Sequence, residues 1–251
     1  MNIKGKNIGI GRPLVCVPIV EKTEEAIIKK ATELANQPED MIEWRMDWYE
    51  ECKKTETLSN VSNKLAEIFK DKILLCTFRS KAQGGEKEIS RKNYVKMLQH
   101  LAQHGKTDML DVEVYELEHP QEVIKNIKQQ GVITVASDHD FTKTPETEIM
   151  TEKLLYMKKI GADIGKLAVM PQNRKDVLRL LEATVEVKEQ LKDYPVITMS
   201  MGKTGMISRL TGQFSGSCVT FATVGKASAP GQLPLDDAVM MLNKISESME
   251  K

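Results

Sequence analysis

The stretch Asp163-Ile164-Gly165-Lys166-Leu167-Ala168-Val169-Met170-Pro171 places one lysine inside an apolar run that a proline closes. A strand buried on both faces of a parallel sheet has this look, and a charge is foreign to it. Burying an unpaired ammonium is costly, so Lys166 is expected to be pushed towards its neutral form. A neutral amine is a nucleophile that condenses with ketones and aldehydes to an imine. The other reading of this stretch is a lysine at the strand's end with its head in solvent. His139, in Ser137-Asp138-His139-Asp140, adds the side chain that titrates nearest neutrality and can serve as general acid and base. Arg45, Arg79 and Arg209 add planar forks that grip a carboxylate bidentately, which points to a small anionic substrate. Glu43 precedes Arg45 by two residues, and Asp47 follows where it could orient that arginine or its neighbours.

These residues act together only if the chain brings them to one place. Short apolar runs alternate along it with longer stretches of helical period. Strands are predicted at Leu14–Val20, Met41–Arg45, Ile73–Thr77, Met109–Val114, Val132–Ser137, Asp163–Met170, Val196–Met199 and Val219–Thr223. Helices are predicted after each: Thr23–Asn36, Val61–Lys70, Arg91–His104, Gln121–Gln129, Glu146–Ile160, Asn173–Lys192, Met206–Leu210 and Leu235–Ser248. Eight such units in 251 residues, with no linker or composition shift between them, indicate one α/β domain over residues 1–251, a closed (β/α)8 TIM barrel. The segment before Leu14, with Gly5, Gly9 and Gly11, reads as a β-hairpin over the bottom of the barrel. In this fold, chemistry collects where strands end. Glu43, Arg45, Arg79, His139, Lys166 and Arg209 all fall at or near strand ends, so they converge on one mouth.

Lys+Arg and Asp+Glu each number 36, and the zero net charge gives no basic field for nucleic acid. The N-terminus lacks the apolar core of a signal peptide, and no apolar run approaches the roughly 20 residues of a membrane helix. Cys16, Cys52, Cys76 and Cys218 have no paired spacing for zinc, which suits a reduced, cytoplasmic protein. His100 and His104 stand at i,i+4 without the His-Glu-x-x-His signature and read as a solvated helix face, while His119 before Pro120 carries no further signal. Gly202-Lys203-Thr204 lacks the earlier glycine of a P-loop, and Gly9-Ile10-Gly11 lacks the third glycine of a dinucleotide fingerprint. Gly84-Gly85 and Ala227–Gln232 read as mobile loops, the second able to close over the mouth.

With these residues assembled, the sequence closely resembles the type I 3-dehydroquinate dehydratases. The resemblance rests on Glu43-Trp44-Arg45-Met46-Asp47, Thr77-Phe78-Arg79-Ser80 with Gly84-Gly85-Glu86, and Ser137-Asp138-His139-Asp140-Phe141. It continues through Lys166-Leu167-Ala168-Val169-Met170-Pro171, Ile207-Ser208-Arg209 and Ser228-Ala229-Pro230-Gly231-Gln232. Six segments in order, at the expected strand ends, span nearly the whole chain. The resemblance implies a TIM barrel, usually a homodimer, that needs neither metal nor organic cofactor. It implies that Lys166 forms an imine with the C3 ketone of 3-dehydroquinate and that His139 moves the protons, giving 3-dehydroshikimate and water on the shikimate pathway towards chorismate and aromatic amino acids. It further implies that Arg209, with Ser228 and Gln232, holds the substrate carboxylate. Glu43, Arg45 and Arg79 would read the ring hydroxyls, and Met199 and Met201 would line the floor.

Two positions depart from the family pattern. Gln83 stands where many members carry a glutamate, so it can orient His139 without bringing charge. Pro18 stands where some members carry a serine that contacts substrate, and no binding role is assigned to it. A class I Schiff-base aldolase would also place a lysine in a barrel strand, although it usually binds phosphorylated substrates and no clear phosphate cradle follows the last two strands. A non-catalytic barrel for an anionic metabolite is a further alternative, but ligand binding alone requires neither Lys166 nor His139.

Overall fold

The computed structural model describes residues 1–225 and 228–249. Strands β1 (Asn2–Ile3) and β2 (Lys6–Asn7) form an antiparallel hairpin whose turn uses positive φ at Lys4 and Gly5. Eight parallel strands follow: β3 (Leu14–Ile19), β4 (Met41–Arg45), β5 (Ile73–Thr77), β6 (Met109–Glu113), β7 (Ile133–Asp140), β8 (Ile164–Val169), β9 (Val196–Ser200) and β10 (Val219–Thr223). From β3 to β9 each pairs with the next in parallel, and β10 pairs with β3. The remaining seam, β9 to β10, is closed by a bridge between Val196 and Ser217, with Cys218 N–H donating to the Val196 carbonyl at 2.8 Å. A two-residue strand β11 (Leu233–Pro234) adds beside β10. The fold is therefore the TIM-type α/β barrel, with the hairpin at its N-terminal end.

The outer helices are α1 (Glu24–Leu34), α2 (Thr55–Ile68), α3 (Arg91–His104), α4 (Pro120–Gln129), α5 (Thr147–Lys159), α6 (Arg174–Gln190) and α8 (Leu235–Met249), with a single turn α7 (Gly212–Ser215). Their starts follow local chemistry. Thr23 Oγ1 accepts from Ala26 N–H at 3.2 Å and Asn173 Oδ1 from Lys175 N–H at 2.8 Å, satisfying donors that a first turn leaves free. Along α1 the buried residues are Ile27, Ala31 and Leu34, spaced at i, i+4 and i+7 on the face turned to the sheet. Three predictions shift: strand β7 runs on to Asp140, past the expected Ser137, so that His139 stands within it. Helix α2 begins at Thr55, ahead of the expected Val61, because its first turn is polar and shows no period. The stretch expected as a helix at Met206–Leu210 is a 3-10 turn, Met206–Arg209. Among the described residues no helix is long and apolar enough to cross a membrane.

Alternation along the strands sorts the core into two bodies. Odd-numbered residues of β3, among them Val15, Val17 and Ile19, pack outward against the helices. Leu14, Cys16, Met41, Ile73, Leu75, Met109, Val135, Ile164 and Ile197 point inward. The hairpin seals the lower end of this inner body. Ile8, 1 % exposed, inserts into it, and Lys4 Nζ donates to the carbonyls of Phe69 and Lys72 and pairs with Asp108 at 2.7 Å. Replacing Ile8 by Ala opens a void that the closed strands cannot collapse into. The expected cost is about 2–5 kcal/mol, read as a lower urea midpoint at unchanged slope.

Candidate active site

Inward positions change character along the barrel axis. Met41 gives way to Glu43 and Arg45, Met109 to Asp111 and Glu113, Val135 to Ser137 and His139, and Ile164 to Lys166. On these four strands the inward face turns from apolar to polar within one two-residue step, while Ala168, Met199, Met201 and Phe221 keep part of the upper wall apolar. Lys166 lies at that boundary, 3 % exposed. Its Nζ is 3.2 Å from Asp111 and 3.5 Å from Glu43, and it stands over the Phe221 ring at 4.8 Å from the centroid. The expectation of an unpaired lysine is therefore corrected: two carboxylates and an aromatic face compensate the buried nitrogen.

The carboxylates are themselves held. Asp111 accepts from Ser137 Oγ at 2.6 Å and pairs with Arg79 at 2.8 Å. Burial alone would raise its pKa, but Arg79, Lys166 and the Ser137 hydroxyl outweigh burial and keep it below the ordinary carboxylate range. Arg79 also pairs with Glu113 at 2.8 Å, and its charge is secured by Asp111 and Glu113 against the opposing effect of burial. Arg45 is forked by Asp47, Nε to Oδ1 at 2.9 Å and Nη2 to Oδ2 at 2.8 Å. Arg209 differs from both. It is 3 % exposed and, among the described residues, has no carboxylate partner; its Nη2 donates to the Pro230 carbonyl at 3.2 Å and its Nη1 approaches Met199 Sδ at 3.9 Å. Burial pushes its pKa down to about 10. Arg209 is thus the arginine of the mouth whose charge no carboxylate among the described residues opposes.

His139 Nδ1 lies 3.2 Å from Gln83 Oε1. With the amide oxygen as acceptor, Nδ1 carries the hydrogen and Nε2 keeps the lone pair of a base. Burial first, and then the positive charges of Arg79, Lys166 and Arg45, hold the imidazole well below its ordinary pKa. Gln83 is carried by the turn Lys81–Gln83, which Gly84 ends at φ 82° beneath the Phe141 ring. The segment expected to be a mobile glycine loop is tied down by backbone bonds. Gly85 N–H donates to the Ser80 carbonyl at 2.9 Å, and a Cβ at Gly85 would meet the Arg79 carbonyl oxygen at 1.8 Å.

One cavity is lined by Glu43, Arg45, Arg79, Gln83, His139 and Lys166, and equally by Met199, Met201, Arg209, Ser228 and Gln232. Every residue expected at the mouth lines it, apart from Asp47, which lies behind Arg45. Ser228 and Gln232 bond to each other, N–H to Oε1 and Nε2 to Oγ, both at 3.0 Å, and Pro230 accepts from Gly202 N–H at 3.2 Å, which docks the segment on the mouth. Ala227, at the start of that expected loop, lies outside the described residues. Pro18 is buried in β3 opposite Glu43 and is absent from the lining. His100 stacks on His104 at 4.5 Å on an outer helix, and no metal-binding group of three or more His, Cys, Asp or Glu occurs among the described residues. Sequence reasoning missed Asp111, Glu113, Ser137 and Phe221. The first two repeat the i,i+2 spacing of Glu43 and Arg45 at a neighbouring strand end, a signal that was there to be read.

A barrel whose sealed lysine faces a neutral histidine and an uncommitted arginine defines a carbonyl-condensing enzyme for a keto acid. The sequence model of the type I 3-dehydroquinase family matches residues 15–249. The 3-dehydroquinate dehydratase of Clostridioides difficile strain 630 is 42% identical over 250 residues, which cover 99% of this chain and 98% of that protein. That of Enterococcus faecalis strain V583 is 42% identical over 232 residues, 92% of each. Among solved structures, a Clostridium difficile type I 3-dehydroquinate dehydratase with covalently modified comenic acid superposes with a TM-score of 0.95 at 42% identity, covering 99% of this chain and 98% of that one. A Geobacillus kaustophilus 3-dehydroquinate dehydratase gives 0.94 at 33% identity, covering 98% and 96%. The chain belongs to the type I 3-dehydroquinases, hydro-lyases of the shikimate pathway that work through a lysine imine.

Gln83 gives the histidine an acceptor without a charge, and that difference is measurable. A carboxylate there would favour the imidazolium and raise the pKa of His139. Gln83→Glu is expected to move the acid limb of kcat/KM to higher pH, because the base becomes protonated sooner. An unmoved limb would separate Gln83 from the titration of His139.

Proposed function

We propose that this chain dehydrates 3-dehydroquinate with Lys166 as the imine-forming nucleophile and His139 as the proton carrier. The observation that carries the reading is their shared cavity, in which the lysine nitrogen is compensated on two sides while Arg209 keeps an unengaged charge. The substrate carboxylate docks on Arg209 in place of the Pro230 carbonyl, with Ser228 and Gln232 over it. Lys166 then meets the C3 ketone. To attack, it must release a proton, and Glu43 is the nearby carboxylate that no arginine already holds. Loss of water from the adduct leaves an iminium, whose positive charge Asp111 and the Phe221 face oppose.

The iminium withdraws electrons from C2. His139 Nε2 removes a C2 proton, the electron pair flows to nitrogen, and the enamine expels the C1 hydroxyl as His139 returns the proton. Water and 3-dehydroshikimate leave after hydrolysis of the imine, and lysine and histidine regain their starting states. Arg45 and Arg79, fixed by Asp47 and by Asp111 with Glu113, read the ring hydroxyls, and Met199 and Met201 form the apolar floor. Family membership supports two further inferences, a cytoplasmic location and a homodimer of single-domain barrels.

Borohydride reduction in the presence of 3-dehydroquinate, read by mass spectrometry, separates the two roles. Lys166→Ala is expected to give no adduct. His139→Ala should still be trapped at Lys166 while losing about 10²–10⁴-fold in turnover, and equal loss of trapping in both variants would refute this division. Arg209→Met should raise KM by at least about tenfold with a smaller change in kcat, since it removes binding that ground state and transition state share.

A further inference from the structure

We infer that Asp47 is a positioning residue that couples the substrate-reading Arg45 to the Gln83–His139 pair. Asp47 is fully buried, at 0 % exposure. Its two oxygens receive four hydrogen bonds, each from one guanidinium nitrogen and one backbone amide. Oδ1 takes Arg45 Nε at 2.9 Å and Arg79 N–H at 3.2 Å; Oδ2 takes Arg45 Nη2 at 2.8 Å and Glu86 N–H at 3.1 Å. One carboxylate therefore clamps the end of β4, the end of β5 and the segment that follows Gln83.

All four partners are donors, so the site requires a side chain that only accepts. Asparagine offers one acceptor oxygen and turns an NH2 towards donors, which breaks two of the four bonds and creates a donor–donor contact. The geometry then links two functions. The fork leaves Nη1 of Arg45 as the nitrogen outside the Asp47 clamp, which fixes how that arginine enters the cavity. The Glu86 bond, together with the close seating of Gly85 on the Arg79 carbonyl, sets the height of the turn that presents Gln83 Oε1 to His139. A shift of that turn moves the acceptor that orients the imidazole, although none of the four bonds of Asp47 is to the histidine and Asp47 does not line the cavity.

The inference rests on the roles given above to Arg45 and His139. His139→Ala retaining full turnover would remove that foundation, whereas the following variants test the coupling itself. In Asp47→Asn, KM is expected to rise and kcat to fall, each by about tenfold, through misplacement of groups that stay present. Borohydride should still label Lys166 in the whole population. In an Arg45→Met background the added Asp47→Asn should raise KM no further than about twofold, and in a Gln83→Ala background it should lower kcat no further than that. Gly85→Ala, which lifts the turn off Arg79 without altering Asp47, should reproduce the fall in kcat with little change in KM, and it keeps the test open should Asp47→Asn fail to fold. Penalties that add in full in both backgrounds, a loss confined to the fraction of labelled enzyme, or wild-type kcat in Gly85→Ala would each overturn the coupling.

Discussion

A charge sealed inside a barrel must find its partners in the same barrel, and the nitrogen of Lys166 sets that requirement for the whole mouth. Taking an ion out of water costs several kcal/mol even after relaxation. Asp111 and Glu43 offset that cost for the lysine, but each is then a buried anion with the same need. Arg79 and Ser137 answer for Asp111, Glu113 for Arg79, and the Ser80 amide for Glu113, at 2.9 Å. The chain of compensation crosses strands β4, β5, β6, β7 and β8, so the ends of five strands are fixed relative to one another by charge as well as by the sheet. Most members answer to more than one partner, so moving one disturbs several buried charges at once, which is why such a network is rigid.

The network is not evenly distributed. Around the lysine, Arg45 and Arg79 face Glu43, Asp47, Asp111 and Glu113, so the carboxylates exceed the cations by one once Lys166 is counted. Arg209, held by a carbonyl and a thioether, is positive without an acid partner. The mouth is therefore polarised, negative around the Lys166 nitrogen and positive at its other wall. Burial first, and then the nearby cations Arg79, Lys166 and Arg45, hold the histidine below its ordinary pKa, so its free ring nitrogen is available to accept a proton.

Much of this was legible before any coordinates. Lys166 stands out because a charge breaks an apolar strand, and the (β/α)8 barrel follows from eight alternations of period. What could not be read directly was pairing across the barrel. Asp111 and Glu113 sit in Met-Leu-Asp-Val-Glu, whose inward face carries two acids where Val-Ile-Thr-Met carries none, yet nothing local says that Arg79 from another strand will meet them. The unpaired lysine expected from its own strand was corrected for the same reason: desolvation is visible in one strand, compensation only across several. The expected span of helix α2 missed its first turn because Thr55, Glu56 and Thr57 bury no periodic stripe. Gly84-Gly85 looked loose because glycine permits mobility, whereas here it permits close approach to the Arg79 backbone.

Gln83 shows how this mouth divides position from charge. An amide and a carboxylate can both accept from Nδ1, so both select the tautomer that leaves Nε2 as base. A carboxylate would also add a second negative centre, on the histidine side of a cavity whose negative excess already lies at the lysine. With glutamine, the anionic charge stays beside the Lys166 nitrogen, and under the proposed roles that is where the positive charge of the intermediate would sit. The histidine is then governed by where it is held. That places the demand on the turn beneath it, and through the Glu86 amide on Asp47, a residue that only a structure could connect to the acid–base step.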